Sequence, residues 1–261
     1  MNLTSLLMLT DSRLPAGTHA HSGGLEAAVA AGRIGDAADL YAFLLGRLTT
    51  TGLTGAAFAA AALEAAALGA PVVGAPVVEA AAVGAPVLEA AVVGAAAVEA
   101  ASGPDQALLA ELDAEYEART PSPAQRRASR KLGRQLLRAV RAGWPGPALA
   151  AASAVHPEGP HQPIAFGAAG AAAGLSAYDV AVGSALGAVS GPANAATRLL
   201  GIDPDAVTAV LAALEPVIQD TADSAVKAAL GPISELPSFS APRLDISAEH
   251  HSTWEVRLFA S

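Results

Sequence analysis

Helix-start signals recur along a chain in which Tyr, Phe, Trp, Ile and Thr, all strand-favouring, are scarce. Asp36 stands ahead of an apolar-periodic run, Leu40, Phe43, Leu44 and Leu48, and suits an N-cap. Ser122-Pro123-Ala124-Gln125 sets a capping Ser, a Pro at the first helical position and a Gln at capping-box spacing. Ser176 with Asp179 repeats that spacing, and Asp203-Pro204 opens a helix expected to run to about Leu230. Gly24 to Gly32 reads as a short helix with Glu26 near its positive end. Aromatic residues make up only 4% of the sequence, while alanine, the strongest helix former, dominates. The expected class is all-α: a single-domain helical bundle of about eight to ten helices with an irregular C-terminal tail. A chain of 261 residues can bury a full core without covalent staples.

Several function classes are disfavoured by charge and composition. A net charge of −9 opposes general nucleic-acid binding, which needs a basic face to displace counterions. The basic residues are nonetheless concentrated, with eight of the fifteen between Arg119 and Arg141. Arg126, Arg130, Arg134 and Arg138 form an i, i+4 row opposite Leu132, Leu136 and Val140, so the helix from about 123 to 142 is amphipathic. The row reads either as a solvated face or as a docking surface for an acidic partner. The absence of cysteine removes disulfides, thiolate metal sites, Fe–S clusters and a Cys nucleophile. The apolar run 3–9 lacks a preceding basic residue and is too short for a signal peptide. The uncharged stretches 164–178 and 180–197 are rich in Gly, Ala and Ser and are separated by Asp179. They read as a tightly packed helix pair rather than a membrane span.

Two segments depart from the helical pattern. Residues 69–101 repeat every ten residues, with Gly at 74, 84 and 94 and Glu at 79, 89 and 99. Ten residues match no solenoid unit, and Pro71, Pro76 and Pro86 would interrupt a helix, so this is a low-complexity Ala/Val/Gly/Pro insertion. Residues 231–261 carry Pro232, Pro237 and Pro242, which rule out a long helix, yet Leu244, Ile246, Trp254, Val256, Leu258 and Phe259 are large and apolar. Such a tail docks on its own domain or on a second protein.

Chemistry concentrates in residues 11–26, where Pro15, Gly17, Gly23 and Gly24 shape a loop holding His19, His21, Ser12 and Ser22. The bland reading is a helix-to-helix turn whose polar groups satisfy one another. A nucleotide site is not expected, because neither Lys131 nor Lys227 follows a P-loop spacing. The histidines fall as His19/His21, His156/His161 and His250/His251, without a His-x3-His helical pair, so no metal ligands are assigned. A hydrolase would need Ser12 or Ser22, a histidine of the same loop, and Asp11 or Glu26 to meet in space. No catalytic residue is assigned, and the expected protein is not an enzyme.

The pattern Asp11-Ser12-Arg13-Leu14-Pro15-x-Gly17-x-His19-x-His21-Ser22-x-Gly24-Leu25-Glu26 resembles the N-terminal signature of the F-type urease accessory proteins, the UreF family. The resemblance continues at Pro121-Ser122, at Arg127-Ala128-Ser129-Arg130 with Gly133-Arg134, and at Pro163 to Gly167 with the Gly/Ala helix that follows. It ends with Arg257-Leu258-Phe259-Ala260-Ser261, so the landmarks cover nearly the whole chain, 1–261, as one domain. The chain departs from the family where Arg198-Leu199-Leu200 is followed by Gly201-Ile202-Asp203-Pro204 instead of a Gly-Gln pair. Ala260 also replaces a second arginine of the tail.

The resemblance implies an all-α cytoplasmic protein with no active site and no cofactor of its own, nickel being handled indirectly through partners. Those partners are the UreD/UreH-type protein, the UreG-type GTPase and apo-urease, and a homodimer is implied within the complex. The implied role is to bridge these components and support nickel insertion into the urease metallocentre. The alternative is a nickel-binding metallochaperone using His19/His21 or His250/His251. The expected partner-binding residues are Pro15, Gly17, His19, His21, Ser22, Gly24 and Glu26 of the loop, Arg127 and Arg130 of the basic helix, and Trp254, Arg257, Leu258, Phe259 and Ser261 of the tail. His19, Ser22 and Glu26 are expected at the dimer or GTPase-facing surface. The tail is expected to order mainly on the UreD/UreH-type partner.

Overall fold

In the computed structural model, residues 2–11, 13–16, 21–67 and 103–259 are described. The insertion at 69–101 and Ser12, Gly17, His19, Ala260 and Ser261 fall outside the described residues. All regular structure among the described residues is helical. The helices are α1 (Leu3–Thr10), α2 (Leu25–Ala30), α3 (Ala37–Arg47), α4 (Leu53–Ala67), α5 (Gln106–Ala118) and α6 (Pro123–Val140). They continue as α7 (Pro147–Ser153), α8 (Gln162–Ala172), α9 (Ala177–Leu200), α10 (Pro204–Ala213), α11 (Glu215–Ala229) and α12 (Pro242–Ser252). A π-helical turn over Leu48–Gly52 joins α3 to α4.

The caps read from sequence are formed. Asp36 accepts from the Asp39 amide at 2.9 Å, Asp203 from Asp205 at 3.0 Å, and Ser122 from Gln125 at 3.1 Å. Ser176 and Asp179 close a full capping box. Gln125 does not close its own, because its amide donates instead to Asp245 of α12 at 3.0 Å. The helix expected from Asp203 to about Leu230 is two helices broken at Leu214. Pro216 has no N–H to give and fits only a first turn, so it restarts the chain as α11.

Alanine and glycine set the packing. Of the fifteen residues of α4, eleven are buried, so this helix needs cover on nearly every side. It receives that cover from α5, α8, α9 and α11. Side chains this small bring backbones close together: a Cβ at Gly167 of α8 would fall on the Ala59 carbonyl and Ala62 of α4. The Gly/Ala stretch is thus a helix-packing device, but its main partner is α4 rather than the following helix. No helix among the described residues is long and apolar enough to cross a membrane. A second apolar cluster joins α2, α3, the later half of α9, α10 and α11 through Leu25, Leu40, Leu44, Val189, Leu214 and Ile218.

The C-terminal stretch holds more regular structure than its prolines suggest. Pro232 precedes a 3-10 turn over Ile233–Glu235, and Pro242 occupies the first turn of α12, where a missing N–H costs nothing. α12 lies across α2 and α6, and the segment after it returns to the N-terminal loop.

Candidate functional site

The two ends of the sequence meet at Glu26. Gly23 and Gly24, at φ +59° and +91°, turn the chain sharply into α2 and place Glu26 in its first turn. A side chain at Gly23 would meet Pro192 and Arg47, and one at Gly24 would meet Leu244, so glycine is needed for space as well. Glu26 is only 7% exposed. Its carboxylate accepts from the Leu258 amide at 2.8 Å, from the Phe259 amide at 3.0 Å, and lies 2.9 Å from Nε2 of His251. One buried carboxylate therefore clamps α12 and the tail to the signature loop. Ser22 supports the clamp from below, accepting from the Glu26 amide at 3.3 Å.

That clamp changes the expected state of the tail. Residues 242–259 are already docked on the chain's own body, because the carboxylate satisfies tail amides and Phe259 enters the second apolar cluster. Phe259 and Glu26 are buried, His21 and Ser22 are also buried, and Gly24 packs on Leu244. Trp254 is half-buried, with the rings of His250 and His251 against it at 5.7 and 4.7 Å. Arg257, Leu258 and Val256 project outward. Pro15 is exposed, in a turn that follows the Asp11–Arg13 ion pair of 2.8 Å.

A residue that sequence reasoning missed ties this loop to the bundle. Pro192 sits inside α9 and cannot donate to the Ala188 carbonyl one turn earlier. Arg47, the last residue of α3, supplies the missing donor: its Nε bonds the Ala188 oxygen at 2.9 Å and its Nη1 the Gly23 oxygen at 2.9 Å. Burial holds the Arg47 pKa below its ordinary value. A proline within an unbroken helical pattern was a legible sign of an orphan carbonyl; which side chain fills it was not.

The basic helix divides between two roles. Arg127 is exposed, as the docking or solvated-face readings require. Arg130 is buried and turned inward, pairing with Asp113 at 3.0 Å and with Glu117, both on α5, and donating to the Gly159 oxygen at 2.8 Å. Asp113 also accepts from the His161 amide at 2.7 Å at the start of α8. Burial drives the His161 pKa down to about 4, outweighing the opposing pull of Asp113. The Arg130 guanidinium lowers the Glu117 pKa. This network joins α5, α6 and α8, so Arg130 shapes the surface from within.

Ser12 and His19, which the hydrolytic and metal readings name, lie outside the described residues. Among the described residues no group of three or more His, Asp or Glu is placed to hold a metal ion. His251 is directed into Glu26 while its neighbour His250 is exposed. Asp11 is paired with Arg13, and Glu26 is committed to the tail.

Comparison with known proteins fits this picture. The family model for UreF matches residues 34–215. The urease accessory protein UreF of Mycolicibacterium vanbaalenii is 39% identical over 261 residues, covering 100% of this chain and 99% of its own length. The protein of that name from Mycobacterium sp. (strain JLS) is 38% identical over 259 residues, covering 99% of each chain. The one from Mycobacterium tuberculosis H37Rv is 35% identical over 260 residues, covering 100% of this chain and 99% of its own.

Proposed function

The chain belongs to the UreF family of urease accessory proteins, and on that premise we propose that it is a bridging component of urease maturation in the cytoplasm. The family is one of accessory proteins rather than enzymes. In this reading the chain joins the UreD/UreH-type and UreG-type proteins on apo-urease, acts within the complex as a homodimer, and supports nickel insertion without a resident cofactor. Nickel is cargo passed among the partners.

The observation that carries the proposal is the Glu26 clamp, which holds the start of α2, α12 and residues 258–259 together. Around that clamp Ile246, Val256 and Leu258 are 70%, 84% and 74% exposed, more than large apolar side chains gain from facing water. A separate apolar face is offered by Leu3, Leu7 and Met8 of α1. A bridging protein needs two such faces, each covering about 800 Å² on its partner.

Co-purification of the full chain with UreD/UreH-type and UreG-type proteins and apo-urease tests the reading. The triple variant Ile246→Arg, Val256→Arg, Leu258→Arg should lose at least one partner and the activation of urease while keeping its helical content. Full retention of both partners and of urease activation by that variant would overturn the role given to this surface. Failure of the unaltered chain to join either partner would overturn the bridging role itself.

A further inference from the structure

The exposed cations of α6 that the Arg130 network does not use converge with the tail on a cavity. It measures about 310 Å³ and lies between α6, α12 and the segment after α12. Arg127, Lys131 and Arg257 line it together with His21, His251 and Ser252, and three alanines leave its centre open. We propose that this cavity binds a compact oxyanion of the phosphate class.

Three observations support the assignment. Arg127 and Lys131 stand one turn apart on α6 and therefore share a face, while Arg257 arrives from the other side. Arg257 immediately precedes the two residues whose amides the Glu26 carboxylate holds, so its backbone position is fixed by a buried contact. Among the described residues none of these three cations is in an ion pair, although the chain carries 24 acidic against 15 basic residues. Among the described residues no aspartate or glutamate lines the cavity.

An acid that senses Arg127 is Glu249 of α12. Its carboxylate is already taken by the Ser122 hydroxyl and, at 2.7 Å, by the Ala124 amide, and these bonds hold its pKa below the usual carboxylate range. Three like charges around so small a space repel one another until an anion enters. A monocarboxylate offsets one of them. A phosphate dianion offers three acceptor oxygens and nearly two charges, matching two guanidinium forks and one ammonium.

The proposal concerns the chain alone and stands apart from the bridging role. Its test is calorimetric titration of the full-length protein with inorganic phosphate at constant ionic strength, with a parallel arm using phosphoserine. One-to-one saturable binding with a dissociation constant of about 1 mM or tighter is expected. Arg127→Gln and Lys131→Gln should each weaken it about tenfold or more, and Arg138→Gln, exposed elsewhere on the same helix, should leave it unchanged. Because Arg257 belongs to the tail, phosphate should also slow amide exchange at Leu258 and Phe259. Tighter binding of phosphoserine would assign the site to a phosphate carried on a larger molecule, and equal binding to the free ion. Absence of saturation in both arms, or equal loss in the Arg138 variant, would overturn the proposal.

Discussion

The Arg130 network and the Glu26 clamp are both buried polar links, yet they hold different things. Arg130 joins three helices of the body through a guanidinium paired with Asp113 and Glu117. Glu26 holds a single chain end through two backbone amides and one imidazole. The difference shows that burying a polar group can either lock a core or fasten a removable part. Removing a partner from the first leaves a charge stranded among packed helices. Removing the second lets the tail amides find water, so the damage stays local.

The largest effect that would break this contrast is expected at Arg130. Arg130→Met leaves Asp113 without its cation and should lower global stability by about 3–5 kcal/mol, measured by urea unfolding. A loss no larger than that of the Glu26 variant below would erase the distinction. The next effect concerns pH. With a folded pKa of about 4 against an ordinary 6.5, His161 binds its proton more readily in the unfolded chain. Its contribution is therefore complete above pH 6.5 and is lost as pH falls toward 4. Stability should drop by about 2–3 kcal/mol between about pH 7 and 4.5. His161→Phe, which also removes the unpartnered Nδ1, should flatten that slope in the same titration.

The Glu26→Gln exchange sharpens the other side. A carboxamide cannot accept at both positions, so exchange of the Leu258 and Phe259 amides should accelerate by about tenfold to a hundredfold, as 1–3 kcal/mol of local protection is lost. Protection in α4 and α8 should be unchanged. The smallest expected effect is at Ser122, whose hydroxyl both caps α6 and meets Glu249. Ser122→Ala should cost about 1 kcal/mol in thermal or urea unfolding.

Much of this was readable from residues alone, and the reasons are local. Asp36, Ser122, Ser176 and Asp203 act through amides two or three positions away, so spacing suffices to read them. The scarcity of aromatic residues and isoleucine beside abundant alanine pointed to the class by the same local logic. What escaped was everything decided between distant segments. The i, i+4 row of arginines is uniform in sequence, yet Arg130 faces α5 and Arg126 is half-buried while Arg134 and Arg138 are exposed, because only the fold says which flank of a helix is covered. Glu26 was legible as a first-turn acid; that it meets amides 232 and 233 residues away was not. Pro216 and Pro242 each stand in the first turn of a helix, which their positions alone do not distinguish from breaking one.

The proline of α9 and the arginine at the end of α3 amount to a defect and its patch. Exchanging Pro192 for alanine would return an amide to the Ala188 oxygen and set it in competition with the Arg47 Nε. The same guanidinium grips Gly23, so mending the helix would loosen the turn that aims Glu26. An apparent flaw in one helix is thus the anchor for a loop more than 160 residues upstream (Gly23 to Pro192), and neither residue can drift without the other.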